Sequence, residues 1–195
     1  MGKIYYMMGK SSSGKDTLHK ELRKALPELK AMTLYTTRPI RDGERDGVEY
    51  FFVSEDVLDT YERQGRIIEQ RAYHTMHGIW RYATVDDGRV NLEEADYLVI
   101  GTLESYGRMR EYYGEENVQP IYIEVEDGER LTRALEREKR RKVPGYAELC
   151  RRYLADMEDY SEENLAKAGI GKRYMNYDRT RCLEEIIGEI QHGKL

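Results

Sequence analysis

The sequence predicts an α/β protein: a parallel sheet covered by helices on both faces, carrying a small β-rich insert. Two observations predict the core. An opening apolar run, "IYYMM" at Ile4–Met8, leads through glycine into a segment with leucines four apart, and strand-like and helix-like segments alternate again from about residue 96 onward. A third observation predicts the insert: between Val48 and about Asp87 the runs "VEYFFV", "RIIEQRAY" and "IWRYATV" are rich in β-branched and aromatic residues.

In chain order, Ile4–Met8 reads as the first strand, ending at Gly9, and "KDTLHKELRKAL" sets Leu18, Leu22 and Leu26 at helical spacing. "LKAMTLY" after Pro27 reads as a second strand, and Thr36–Gly47 as a polar, arginine-rich loop. Within the insert, read as antiparallel, "SEDVLDTYERQG" is a helix with Ser54 as its N-cap. Then follow strand "DYLVIG", a helix over Leu103–Tyr113, strand "VQPIYIEV", a helix from Asp127 to about Lys142, and another over Tyr146–Ala168. Strand "KRYMNY" and a helix over Arg181–Gln191 complete the pattern. The 195 residues suffice for one domain, divided into core (1–35, 88–128, 169–195), insert (36–87) and a helical region (129–168).

Bulk properties narrow the function. A formal charge of −5 repels a nucleic-acid backbone, so bound phosphate must meet a local basic site. No apolar run approaches the roughly 18 residues of a membrane span, and the expectation is a cytoplasmic protein with no membrane or nucleic-acid partner. Cys150 and Cys182 lack metal-site spacing and read as reduced thiols. Tyrosine is abundant, with 17 copies against 2 Phe, so much of the aromatic core carries a hydroxyl that needs a partner.

The chemistry begins at "GKSSSGKDTL". Gly9, Gly14 and Lys15 fit the Gly-x4-Gly-Lys pattern of a phosphate-binding loop, and they lie between a first strand and a first helix, where loop amides and a helix N-terminus converge on an anion. Where that pattern has a hydroxyl, this chain has Asp16. Two readings are open: the carboxylate contacts Mg2+ directly or through water, or it is a first-turn helix acid and Thr17 or a loop serine supplies the hydroxyl. A second cluster, "TTRPIRDGERDGVEYFFV", gathers Arg38, Arg41 and Tyr50, whose guanidinium forks and phenol suit a second phosphate. His74 and His77 form an HxxH pair without a third ligand, more in keeping with an ordinary loop than with a metal site.

These two clusters, with the following "GRIIEQRAY", resemble guanylate kinase through almost the whole chain, most strongly from Thr36 to Glu69 and less after Tyr97. The resemblance implies a P-loop kinase fold that moves the terminal phosphate of ATP to GMP, with Mg2+. It implies ATP contacts at Gly9, Ser11, Ser12, Ser13, Gly14, Lys15, Asp16 and Thr17, with Arg137, Arg141 and Arg152 of a helical lid on the phosphates and Asn176 and Asp178 near the adenine. Arg38, Arg41 and Tyr50 would hold the acceptor phosphate, with Tyr82 of "WRYAT", and Glu44 would belong to the same acceptor site. Glu69 would accept from guanine N1 and N2, a task suited to an acceptor-only group, and Thr84 would touch the base. Lys15, Arg38, Arg137 and Arg152 would carry catalysis.

The chain also departs from that family. Leu34 stands where the serine that reads the guanine carbonyl would be, "AYHTMHGI" is about four residues longer, and Val99 and Gly101 replace two acids at a strand end, leaving Glu104 as either a substitute carboxylate or a helix-face acid. Two other readings therefore stand beside GMP phosphorylation: a kinase for a different small phosphorylated acceptor, and a binding module without catalysis.

Overall fold

The computed structural model describes residues 2–75, 78–193 and 195. Its main sheet has five strands in the order β2 (Lys30–Ala31), β7 (Tyr97–Ile100), β1 (Ile4–Met8), β8 (Val118–Glu124) and β9 (Tyr174–Met175), every neighbouring pair parallel. Central β1 explains why its apolar run is unbroken. Its side chains alternate between faces and both faces are covered, so all five residues are buried. Ile4, Tyr6 and Met8 pack with Leu103, Tyr106 and Met109 of α3 (Leu103–Tyr113) and Leu165 of α6 (Glu162–Lys167). Tyr5 and Met7 pack on the other face with Leu18 and Leu22 of α1 (Lys15–Ala25) and Cys182 and Ile186 of α7 (Arg179–Gln191).

The insert sheet has the order β4 (Phe51–Phe52), β3 (Tyr35–Thr36), β6 (Gly78–Val85), β5 (Ile67–Thr75). It is mixed rather than wholly antiparallel, because β3 pairs parallel with β4 and antiparallel with β6. Helix α2 (Glu55–Arg63) closes its inner face, where Leu58 meets Tyr35, Ala83 and Val85. Ser54 occupies the N-cap position of α2 but makes no capping hydrogen bond.

Two segments differ from the sequence expectation for physical reasons. "LKAMTLY" is not one strand: Met32 still donates to Leu98 O (3.0 Å), whereas Leu34 O accepts from Phe51 (2.8 Å), so the backbone changes sheets around Thr33. The single helix expected over Tyr146–Ala168 is two, α5 (Tyr146–Asp159) and α6. It breaks where Tyr160 turns inward to stack on Tyr122 (centroids 5.7 Å apart) and Ser161 caps the next helix by accepting from Asn164 N. Helix α4 (Asp127–Lys139) ends three residues earlier than expected, and α7 starts two earlier, where Asp178 caps it by accepting from Arg181 N. β4 and β9 are also shorter than "VEYFFV" and "KRYMNY" suggest.

On α1, burial with help from the charge of Arg23 pushes the His19 imidazole down to about 4. The unfolded chain, with an ordinary histidine near 6.5, therefore binds the extra proton between those values, and stability conferred by the neutral ring is lost as pH falls through that window. On going from pH 7 to pH 5, urea unfolding should show the parent losing about 1–2 kcal/mol more than His19→Gln. Equal losses would show that the ring titrates normally.

Candidate active site

The phosphate-binding loop leaves β1 and enters α1 through a left-handed turn. Gly14 has φ 89° as the N-cap of α1, and Ser12 has φ 65°, a conformation uncommon for a residue with Cβ. A Cβ on Gly14 would overlap the side-chain amide of Asn176, which donates to Ser13 O (2.7 Å) and so braces the loop. The hydroxyls of Ser12 and Ser13 are buried and make no hydrogen bond among the described residues. Such groups are costly unless a ligand completes them. Lys15 is mostly shielded, Asp16 is 81% exposed with a carboxylate oxygen 3.9 Å from Lys15 Nζ, and Thr17 is exposed.

The lid closes over one side of this loop. Arg130, on the first turn of α4 and 1% exposed, donates to Ser11 O (3.0 Å) and to Asp127 (2.6 Å), lies over the Tyr153 ring, and sits 3.5 Å from Asp156. Asp156 in turn accepts from Ser11 N (2.7 Å), so a carboxylate already occupies one of the loop amides. Arg137 and Arg152 line a cleft with Ser11, Ser12, Arg130 and Tyr153. Arg152 Nε is buried without a hydrogen bond, although Glu148 lies 3.4 Å away. Arg141 stands apart, exposed and paired with Glu138 (3.0 Å). Neither Arg130 nor Asp156 was singled out from the sequence. The only local signal was the Asp127–Arg130 spacing on one helix face, since Ser11 is 119 residues away.

The residues expected to bind the acceptor lie on the insert. Arg38 is 3% exposed, held by both oxygens of Glu44 (2.9 and 3.0 Å), hydrogen-bonded to Tyr82 and flanked by the rings of Tyr50 and Phe52. Glu44 thus grips the arginine and also accepts from Arg41 N (2.9 Å), while the Arg41 side chain is exposed. The β5–β6 register pairs Glu69 with Thr84 and Arg71 with Tyr82, which puts these four side chains on one face of the hairpin. Glu69 is 7% exposed and accepts from Thr84 Oγ1 (2.9 Å) and Arg71 Nε (3.1 Å). Arg71, also absent from the sequence reading, reaches on to Thr102 Oγ1 (3.0 Å), the N-cap of α3.

At the altered strand end, a Cβ on Gly101 would overlap the Tyr6 hydroxyl, which is hydrogen-bonded to Ser105. The phenol has taken the space that a longer side chain would need. Leu34 is buried in the core cluster with Ile4 and Tyr6. Glu104 is exposed on the first turn of α3 and close enough to Asp159 to help raise its pKa, after burial and Asp156. Among the described residues no group of three His, Cys, Asp or Glu could hold a metal ion; His74 is exposed and His77 lies outside those residues.

The charges are tuned by these contacts. Burial pushes the Asp127 carboxyl up, but Arg130 and Lys10 outweigh it and hold it below the usual range. For Glu44, burial is likewise outweighed by Arg38 and the Arg41 amide. Burial raises Tyr50, keeping its phenol a neutral donor at neutral pH. Among the described residues no helix is long and apolar enough to cross a membrane.

Residues 1–88 match the family model described as guanylate kinase. Guanylate kinase of Tropheryma whipplei (strain Twist) is 41% identical over 76 residues, which are 39% of this chain and 38% of that protein. Guanylate kinase of Coxiella burnetii (strain RSA 493 / Nine Mile phase I) is 32% identical over 98 residues, 48% of the chain and 48% of that protein. The chain thus matches half or less of the length of these relatives. The crystal structure of guanylate kinase from Anaplasma phagocytophilum superposes with a TM-score of 0.66 at 17% identity, over 100% of this chain and 87% of that one, a likeness of fold. The first 88 residues are thus similar to the guanylate kinase family in sequence, and the fold of the whole chain is like that of a guanylate kinase.

Proposed function

We propose that the protein transfers the terminal phosphoryl group of ATP to GMP. The observation that carries this reading is the pairing, on one insert, of a buried arginine beside two tyrosines with a buried acceptor-only carboxylate: Arg38, Tyr50 and Tyr82 suit a phosphate, and Glu69 suits the N1–H and amino donors of guanine. The family match supports it.

Phosphoryl transfer asks the protein for alignment and charge neutralisation rather than covalent chemistry. Lys15 and the loop hydroxyls of Ser12 and Ser13 bind the ATP phosphates, Arg137 and Arg152 approach them from the lid cleft, and Arg38 orients the acceptor phosphate. The acceptor oxygen is already nucleophilic, so no general base is required. Mg2+, when bound with ATP, neutralises phosphate charge. Asp16 is the residue fit to hold it: a single solvated carboxylate at the loop suits an ion that keeps most of its waters.

Coupled measurement of ADP release with ATP and Mg2+ against GMP, AMP, CMP, UMP and dTMP tests the assignment. GMP should be the preferred acceptor; preference for another nucleotide, or no release with any, would overturn it. Arg38→Lys keeps the charge but loses the planar fork, so kcat/KM for GMP should fall by about tenfold to a hundredfold with ATP affinity nearly unchanged. A matching loss of ATP affinity would remove Arg38 from the acceptor site.

Asp16→Ala should raise the Mg2+ concentration needed for half-maximal activity, and Asp16→Ser should restore much of it. In chelator the order should invert, with Asp16→Ala binding ATP more tightly than the parent because a negative charge beside the phosphates is gone. Two unchanged curves would leave Asp16 as a first-turn helix acid only.

A further inference from the structure

Position 34 is apolar and buried, so it offers no donor to a base carbonyl. Thr84 is committed through its hydroxyl proton to Glu69. What stands beside Glu69 instead is Arg71, whose side chain is only 14% exposed. A guanidinium has five N–H donors. Three are used, by Nε and Nη2 toward Glu69 (3.1 and 3.5 Å) and by Nη1 toward Thr102 Oγ1 (3.0 Å), leaving one hydrogen on each Nη without a partner among the described residues. Glu69 and Arg71 are two apart on β5, on the face they share with Tyr82 and Thr84, and fixing Arg71 from both the hairpin and the α3 N-cap leaves its plane little freedom. A base entering this pocket therefore meets an acceptor-only group and a donor-only group side by side. Guanine presents the complementary pattern, with the N1–H and amino donors next to the O6 acceptor.

We propose that Arg71 is a specificity-determining residue that reads the carbonyl of a 6-oxopurine acceptor, donating to O6 while Glu69 accepts from N1–H and the exocyclic amine. The proposal rests on the reading of the acceptor as GMP. It assigns Arg71 two tasks through one side chain: orienting the Glu69 carboxylate and supplying the donor that position 34 lacks. A purely orienting arginine would make no distinction between acceptors that differ only at the carbonyl oxygen.

The test compares GMP with 6-thio-GMP, in which sulfur replaces O6 as a much weaker acceptor. The parent should prefer GMP in kcat/KM by about tenfold or more, the worth of a hydrogen bond to a charged donor. Arg71→Met, which keeps the bulk of the side chain without its donors, should lower kcat/KM for GMP by about tenfold to a hundredfold yet affect 6-thio-GMP far less, so that the preference collapses toward unity. Arg71→Lys should recover part of the GMP rate and part of the preference, and ATP affinity measured on both variants reports that the fold is intact. Equal losses on both acceptors, with the preference retained, would overturn the proposal and leave Arg71 as a support for Glu69. A parent without preference would overturn it too. Failure of the parent to use GMP at all, seen before any variant is made, would instead sink the GMP reading and this inference with it.

Discussion

Arg130 is the most deeply buried charge among the described residues, at 1% exposure, and the glycine loop and the helices beside it are arranged around it. A guanidinium taken out of water must be paired and hydrogen-bonded or it destabilises the fold by several kcal/mol. Its partners come from three places: Asp127 at the start of α4, Asp156 on α5 and the Ser11 carbonyl in the loop. Satisfying one cation therefore fixes the lid helices against the loop. It also brings Asp156 onto the Ser11 amide and Asp127 within 3.3 Å of Lys10, so that part of the loop's positive field is met from within the chain. The hydroxyls of Ser12 and Ser13, by contrast, have no partner among the described residues, and they mark where an incoming anion has the most to gain.

The same device recurs on the insert. Arg38 with Glu44, and Arg71 with Glu69, are buried or nearly buried cations each gripped by a carboxylate. Ion pairs of this kind contribute little net stability, because desolvation offsets the attraction. Their consequence here is geometric. Each carboxylate fixes the plane of its guanidinium, which lowers the ordering cost of any further hydrogen bond it makes. Arg71 adds a mechanical role, since its bond to Thr102 ties the insert to the first turn of α3 in the core.

How far the sequence discloses this follows from the range of each interaction. The glycine loop, β1 and α1 were legible because their signals are local: glycines where the backbone turns left-handed, an unbroken apolar strand, leucines four apart. Glu69 and Thr84 could be placed only through the family resemblance, and their contact across β5–β6 depends on a bulge between Ile67 and Glu69 that no local pattern announces. Arg71 and Arg130 were passed over because each looks like an ordinary charge on an amphipathic element, and their deciding partners lie 31 and 119 residues away. The break at Tyr160 was hidden for the opposite reason. Helical spacing continues through it, and only stacking on Tyr122 pulls the backbone out of register.

The unusual tyrosine content bears on one of the regions where the chain departs from the guanylate kinase pattern. A buried phenol needs a hydrogen-bond partner, and three find one near the core's edge: Tyr35 with Asp87, Tyr174 with Glu189, Tyr97 with the Asn91 amide. Tyr6 does so at the end of β7, where its hydroxyl meets Ser105 in the space a side chain on residue 101 would occupy. An acid there would have to displace the phenol, and would add a second carboxylate near Glu69 in a poorly solvated site, where like charges cannot both remain ionised cheaply. With glycine at 101 the phenol fits, and the cation of Arg71 can approach Glu69 and Thr102 without a competing anion. On the proposed reading, glycine at 101 and the cation of Arg71 act together, and that corner of the pocket would donate hydrogen bonds rather than accept them.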